Sequence, residues 1–172
     1  MTNLTTTQPA AFDALLALLQ TAGAAQSPPV AVMDTEITQY QPGSYVIVEA
    51  LEEQNFDPAA LGSFAFYEEY EICGRTTVYQ GVGDPATATK AVRDQTFAVH
   101  QAVVHATVIA NSGAISTGGG QVLGSQAPTE LEWIVPTYAR YSATPGAFGE
   151  GQAGLQGTID WRYMLHARLT VG

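Results

Sequence analysis

Paired carboxylates are the residues of this sequence that most readily suggest chemistry. Glu68, Glu69 and Glu71 form one group, and Glu130 and Glu132 form a second. Carboxylates two residues apart on a strand share one face, and such pairs can act as general acid and base. No neighbouring motif places a substrate, and exposed strand faces often carry such pairs. We therefore interpret both groups as surface residues.

The three histidines and the single cysteine do not predict a metal site. His100 and His105 are five residues apart, so on an α-helix their side chains diverge by about 140°. His166 is expected on the polar face of the last strand. Cys73, as the only cysteine, excludes an internal disulfide and fits a reducing cytosol. We expect neither a metal nor a cofactor.

Residues 81–86 read Gly-Val-Gly-Asp-Pro-Ala, which matches the G-x-G-x-x-A pattern of dinucleotide-binding loops. That pattern works in a βαβ unit whose second strand soon follows the helix, whereas the helix predicted here leads into a glycine-rich loop. Asp84 would also place a carboxylate where a pyrophosphate should bind. We interpret the segment as a strand-to-helix turn capped by Asp84. The sequence predicts no enzyme.

Length and charge exclude further classes of protein. A chain of 172 residues fits one domain, and 46% hydrophobic residues exclude a disordered chain. With 16 acidic and 6 basic residues, the net charge is −10. The chain therefore has too few cations to bind nucleic acid by neutralising phosphates, or to bind anionic membranes. Neither a secretory signal nor an apolar stretch of about 20 residues is visible, so we expect no membrane association.

The acidic residues are unevenly distributed along the chain. Residues 1–71 contain ten of the acids and no Lys or Arg, so the whole net charge lies there. One interpretation is a solvated acidic face. The other is a surface whose field steers or repels a partner.

The pattern of apolar residues predicts an α+β fold. Residues 1–8 are predicted to be flexible, and residues 9–172 to form a single domain. Its predicted architecture is one mostly antiparallel sheet packed by a long helix and a short N-terminal helix. The predicted elements are a helix at about 9–22, strands at 30–33, 45–51 and about 64–79, a helix at 85–110, and strands at about 130–141 and 157–171. The loops at 111–128 and 142–157 are long and glycine-rich.

The long helix is apolar on two sides. One predicted face should pack on the sheet, and it carries Ala88, Val92, Val99, Val103, Ala106 and Ala110. At 100° per residue, Phe97, Val104 and Val108 lie roughly opposite that face. A helix with two apolar sides needs two packing partners. The second is either the first helix, as a third layer, or a neighbouring subunit.

This order of elements resembles the tail terminator proteins of long-tailed bacteriophages, also called minor tail or tail-completion proteins. The resemblance rests on the Leu-rich first helix, the strand at 44–49, the long strand at 67–79, the helix at 85–110 and the closing segment 157–169. It implies a non-enzymatic virion protein without cofactors, made in the host bacterial cytoplasm. Such proteins form hexameric rings at the head-proximal end of the tail, stop polymerisation of the tail tube and provide the surface that joins the head.

Several residues take expected roles under this resemblance. The partners would be further copies of the chain, the tail tube protein and a head-closure or connector protein, with DNA only as passing cargo. The expected subunit interface contains Phe97, Val104, Val108, Arg162, His166 and Arg168. The loops expected to contact the tube or connector contain Gly118, Gly119, Gly120, Gly146, Phe148 and Gly151. The acidic face expected to line the lumen contains Glu49, Glu52, Glu53 and Glu69.

Two other functions remain open from the sequence. The first is another ring of the same particle, namely a head-closure or tail-tube protein. The second is a small-ligand-binding α+β domain or an unrecognised hydrolase. Its ligand would be expected on the polar face of the last strand, which carries Asp160, Arg162, His166 and Arg168.

Overall fold

A computed structural model describes residues 6–35, 42–49, 54–58, 65–81, 85–113, 121–148 and 152–170. The helices are α1 (Gln8–Ala24), α2 (Pro85–Val99) and α3 (Ala106–Ala110); a π-helical segment, His100–His105, joins the last two into one long helix. The strands are β1 (Ala31–Met33), β2 (Gly43–Glu49), β3 (Gln54–Pro58), β4 (Ala65–Gly81), β5 (Leu131–Phe148) and β6 (Gln152–Thr170). Within these residues, no helix combines the length and apolarity needed to cross a membrane.

The strands form one mixed sheet in the order β1-β2-β4-β6-β5, and β3 pairs with β4 beyond the end of β2. Only β1 and β2 run parallel; the other pairs among the described strands are antiparallel. The long pair β4–β6 forms the centre, and its register aligns Glu69 with His166 and Arg75 with Asp160. The predicted α+β class with a mostly antiparallel sheet is therefore confirmed.

The alternation of β6 decides where the core lies. Ile159, Trp161, Tyr163 and Leu165 are buried and belong to one apolar cluster together with residues of the helices. We call this side of the sheet the inner face, and the opposite side the outer face. Gly74 of β4 lets the two central strands accommodate the Trp161 ring, because a Cβ at that position would overlap it.

Glu68 is a fully buried carboxylate on the inner face of β4. One of its oxygens, Oε2, accepts hydrogen bonds from the backbone N–H of Thr7 at 2.9 Å and from the Thr7 hydroxyl at 2.7 Å; the other accepts from the Thr6 hydroxyl. Thr7 is the N-cap of α1 and makes no capping bond with its own side chain, so Glu68 provides the acceptor. A negative charge there also complements the helix dipole. The Glu68 carboxylate thus fixes the start of α1 to the middle of the sheet.

This contact corrects the prediction for the N terminus. Residues 1–8 are predicted to be flexible, but Thr7 is buried and α1 already begins at Gln8. The Tyr70 hydroxyl lies 3.0 Å from the Thr7 hydroxyl in the same cluster, and burial raises the pKa of Tyr70. Residues 1–5 lie outside the described part of the chain.

The π-helical segment corrects the predicted faces of the long helix. A π-helix closes i→i+5 bonds and so accommodates extra residues per turn, which shifts the phase of everything after it. Val104 and Val108 consequently lie in the core beside α1 instead of on an outward face. Ala106 and Ala110, predicted to contact the sheet, are exposed. Packing against the first helix is the alternative that the structure supports for Val104 and Val108.

The same segment turns two histidines toward the sheet. His100 Nδ1 lies 3.2 Å from the Thr76 hydroxyl, and His105 Nδ1 lies 3.4 Å from the Tyr163 hydroxyl. Burial, with a smaller contribution from His105, lowers the pKa of His100 to about 4. Burial also raises the pKa of Tyr163 to about 12. His100 and Tyr163 are therefore both neutral at pH 7.

The closing strands are longer than predicted. Residues 142–157, predicted as a glycine-rich loop, mostly extend β5 to Phe148 and begin β6 at Gln152. Glycines occur here for packing as well as for turning: a Cβ on Gly157 would overlap the Thr96 side chain of α2. The strand β3 is absent from the prediction because Gln54–Pro58 has a polar sequence without alternation.

Replacing Glu68 with Gln should destabilise the fold. The amide of the new side chain keeps one acceptor oxygen and replaces the other with an NH2 group, so the donors of Thr6 or of Thr7 lose their acceptor, and we expect a loss of about 2–3 kcal/mol in the free energy of unfolding. Urea denaturation followed by circular dichroism measures this. Glu130→Gln, the same change at an exposed position, is the control and should have little effect. Equal midpoints for both variants would show that Glu68 does not anchor α1.

Candidate functional site

The outer face of the sheet gathers most of the charged residues predicted to act. Both helices pack on the inner face, and no described helix packs on the outer one. Strand alternation and register place on it Glu49 from β2, Glu69, Glu71 and Arg75 from β4, and Asp160, Arg162, His166 and Arg168 from β6. Residues that the sequence assigned to different roles therefore share one surface.

Arg75 links three strands across this face. Its Nε lies 3.1 Å from Asp160 Oδ1 on β6, and its Nη2 lies 3.5 Å from Glu49 Oε1 on β2. All three side chains are about a third to a half exposed. Each pair therefore contributes little stability by itself, because solvent screens exposed charges. The main consequence is that the charges of this region are balanced locally.

His166 is enclosed by residues of β4 and β5. Its ring stacks on Trp133 at 4.8 Å between centroids and contacts the Tyr67 ring at 4.8 Å. Its Nδ1 lies 3.0 Å from Glu69 Oε1, and its Nε2 lies 3.4 Å from Glu132 Oε2. Only 13% of the side chain is exposed. The imidazole therefore ties the three long strands together, and neither of its nitrogens is open to a substrate.

Arg162 lies beside a polar pocket of about 240 Å³. Its Nη1 is 3.6 Å from Glu71 Oε2, and its guanidinium lies 5.7 Å from the centre of the Tyr138 ring. Glu49, Arg75 and Asp160 also line the pocket. Two acids and two bases cancel one another here, so the pocket has no net charge with which to select a charged ligand.

The predicted acidic face is not one-signed in the described structure. Glu49 contacts Arg75, and Glu69 contacts His166. Both carboxylates therefore belong to the paired network, although residues 1–71 contain no cation of their own. Glu52 and Glu53, the other two residues predicted for this face, lie outside the described residues.

The predicted interface residues separate into three places. Arg162, His166 and Arg168 lie on the outer face of β6, where Arg168 is exposed and forms no ion pair with the described residues. Val104 and Val108 are fully buried, so the prediction that they face another subunit is wrong. Phe97 is 50% exposed and contacts the Tyr141 ring at 5.4 Å between centroids.

The predicted contact loops also separate. Gly146 and Phe148 lie in β5, so placing them in a loop is wrong. The sequence missed this extension because glycine and proline usually interrupt strands. Gly118, Gly119, Gly120 and Gly151 lie outside the described residues.

Metal ligands and the cysteine thiol are the remaining groups of this face to consider for chemistry. Among the described residues, no group of three or more His, Cys, Asp or Glu side chains is arranged to hold a metal ion. Cys73 is buried. The sequence missed Trp133, Tyr67 and Tyr138 as members of the site; aromatic residues on alternating strand positions are the signal that could have indicated them.

Comparisons with known proteins do not identify a family for this chain. No protein-family model matches the sequence, and no curated protein matches it. One solved structure, which carries no functional name, has a TM-score of 0.40 and 16% identity over 89% of this chain and 91% of its own. Another, from the virion of a native gene transfer agent particle, has a TM-score of 0.37 and 17% identity over 95% and 94%. Likenesses this weak carry no argument about fold or function.

Replacing His166 should loosen the outer face. His166→Ala removes the ring stacked on Trp133 and leaves Glu69 and Glu132 facing each other, so we expect a loss of about 1–2 kcal/mol in unfolding free energy. Arg168→Ala, two residues further along the same face, is the control and should change stability by less than about 0.5 kcal/mol. Urea denaturation at pH 7 compares them. Equal losses would show that the enclosure of His166 is not stabilising.

Proposed function

We propose that this protein is a non-enzymatic virion assembly protein, a tail terminator that forms a ring on the tail tube. The ring would stop polymerisation of the tube and provide the surface that joins the head. The order of elements that carries the resemblance, with one helix before the strands, one long helix in the middle and a closing strand pair, is the order of the fold.

One observation supports self-assembly most directly, namely the edge strand β5. It runs from Leu131 to Phe148 and pairs along one side with β6. On its other side the described residues provide only an isolated bridge between Gly113 and Trp133. Monomeric proteins usually keep edge strands short or covered, because a free edge can pair with another chain. Two prolines and an irregularity blunt parts of this edge, and the stretch between them is where another chain can pair.

The proposed partners are further copies of the chain, most simply in a hexamer, together with the tail tube protein and a head-closure or connector protein. DNA would pass through the ring without specific contacts. Glu49 and Glu69, with Glu52 and Glu53, are proposed to lie toward the lumen. A head-closure or tail-tube ring is the alternative within the same particle.

Microscopy and mass measurement together test the proposal. The purified protein should form small rings of one size by multi-angle light scattering and negative-stain microscopy, and it should cap added tail tubes at one end. A tail-tube protein would instead polymerise into long tubes by itself. Bovine serum albumin at the same concentration is the control for adsorption to the tubes. A monomer that leaves tube ends bare would overturn the proposal.

A further inference from the structure

The free edge of β5 is open to pairing in one stretch, residues 138–144, which we call the β5 window. Pro136 and Pro145 lack an N–H, and in an edge strand proline takes positions whose nitrogen points away from the neighbouring strand. Backbone groups alternate in direction along a strand. The N–H groups of Ala139, Tyr141 and Ala143, at even spacing from Pro145, therefore point outward as well. The prolines and the irregularity after Pro136 limit what can pair here to a short strand.

An exposed apolar patch lies beside this window. Ala139 and Ala143 are exposed on the inner side of β5, and between them Tyr141 contacts the half-exposed Phe97 of α2. The Tyr141 hydroxyl is buried without a hydrogen-bond partner among the described residues, and burial raises its pKa. An apolar patch next to a free edge gives an incoming strand a surface to pack on as well as backbone groups to bind.

One exposed residue at each edge of the sheet carries a charge, and the two charges have opposite sign. Arg140 lies in the β5 window, is exposed and forms no ion pair with the described residues. At the opposite edge, Asp34 directly follows β1, is exposed and likewise forms no ion pair with the described residues. All residues before 72 lack Lys and Arg, so β1 and the segments around it in the sequence carry no cation. Arg140 in β5 and Asp34 beside β1 are therefore complementary in charge.

We propose that residues 138–144 of β5 pair with β1 of a second copy of this chain, and that Arg140 of one copy contacts Asp34 of the next. The inference deepens the proposed function and rests on it, since it names the contact that would close the ring. The strand ladder makes β1 antiparallel to β5, so a neighbour that continues the sheet pairs antiparallel. β1 is three residues long, which suits the short window.

The charges favour this head-to-tail contact over a two-fold one. Two copies that paired β5 with β5 would bring their Arg140 side chains close together, and like charges across a strand pair are unfavourable. A two-fold contact would also end at a dimer, whereas a contact between two different edges repeats from copy to copy and gives a ring when the rotation between copies closes.

Charge reversal tests this contact with the full chain. Arg140→Asp and Asp34→Arg should each weaken self-association at least about tenfold, because each places like charges together. The double variant should form rings alone, since every contact then again joins an acid to a base. Light scattering across a dilution series gives the association, and circular dichroism checks that each variant is folded. Asp13→Arg, a charge reversal at an exposed position in the first half of α1, is the control and should leave association unchanged.

A backbone variant supplies an independent test. Ala143→Pro removes an outward N–H while β5–β6 pairing is kept, and it should also weaken association. Ala143→Ser keeps the N–H and is its control. Wild-type rings with unaffected variants, or single variants whose defect the double variant does not restore, would overturn this contact and leave the proposed function standing. A wild-type protein that forms no rings, even with tail tubes, would overturn both.

Discussion

The buried Glu68 carboxylate is the contact on which the arrangement of the helices depends. It lies on the inner face of β4 and binds the backbone and hydroxyl of Thr7, where α1 begins. A charged group without partners could not be buried there. With α1 held across the sheet, the second half of the long helix finds an apolar neighbour within the same chain, and Val104 and Val108 are buried by it.

Both helices lie on one face of the sheet, so no described helix covers the charged residues of the other face. The outer face meets this constraint with cross-strand pairs such as Arg75 with Asp160 and with the aromatic enclosure of His166. Acidic residues from the first 71 positions pair there with basic residues from later positions. Charges that are unevenly distributed along the sequence are therefore balanced on this surface. Asp34 beside β1 and Arg140 in β5 form no ion pair with the described residues. These two residues have the opposite charges that a head-to-tail contact needs.

The sequence predicts the parts of this fold that follow a regular period. Alternation predicted the polar face of the last strand that carries Arg162 and His166, and the apolar pattern predicted a long helix that begins at residue 85. The prediction failed where this period changes. The π-helical segment shifts the phase of the long helix before Val104. Glycine at Gly157 allows close packing against α2 and does not mark a loop. Glu68 was predicted, with Glu69 and Glu71, as a surface residue; its burial shows this to be wrong, and the Thr pair about 61 residues earlier in the chain gave no local signal.

Amide hydrogen exchange measures the central contact most directly. In the assembled protein, the amides of Ala139, Tyr141 and Ala143 should exchange at least about a hundredfold more slowly than in a folded, unassembled Arg140→Asp variant, because pairing protects them. Amides of β5 that bind β6 should be protected in both. Equally fast exchange of the three outward amides in assembled protein would contradict the account.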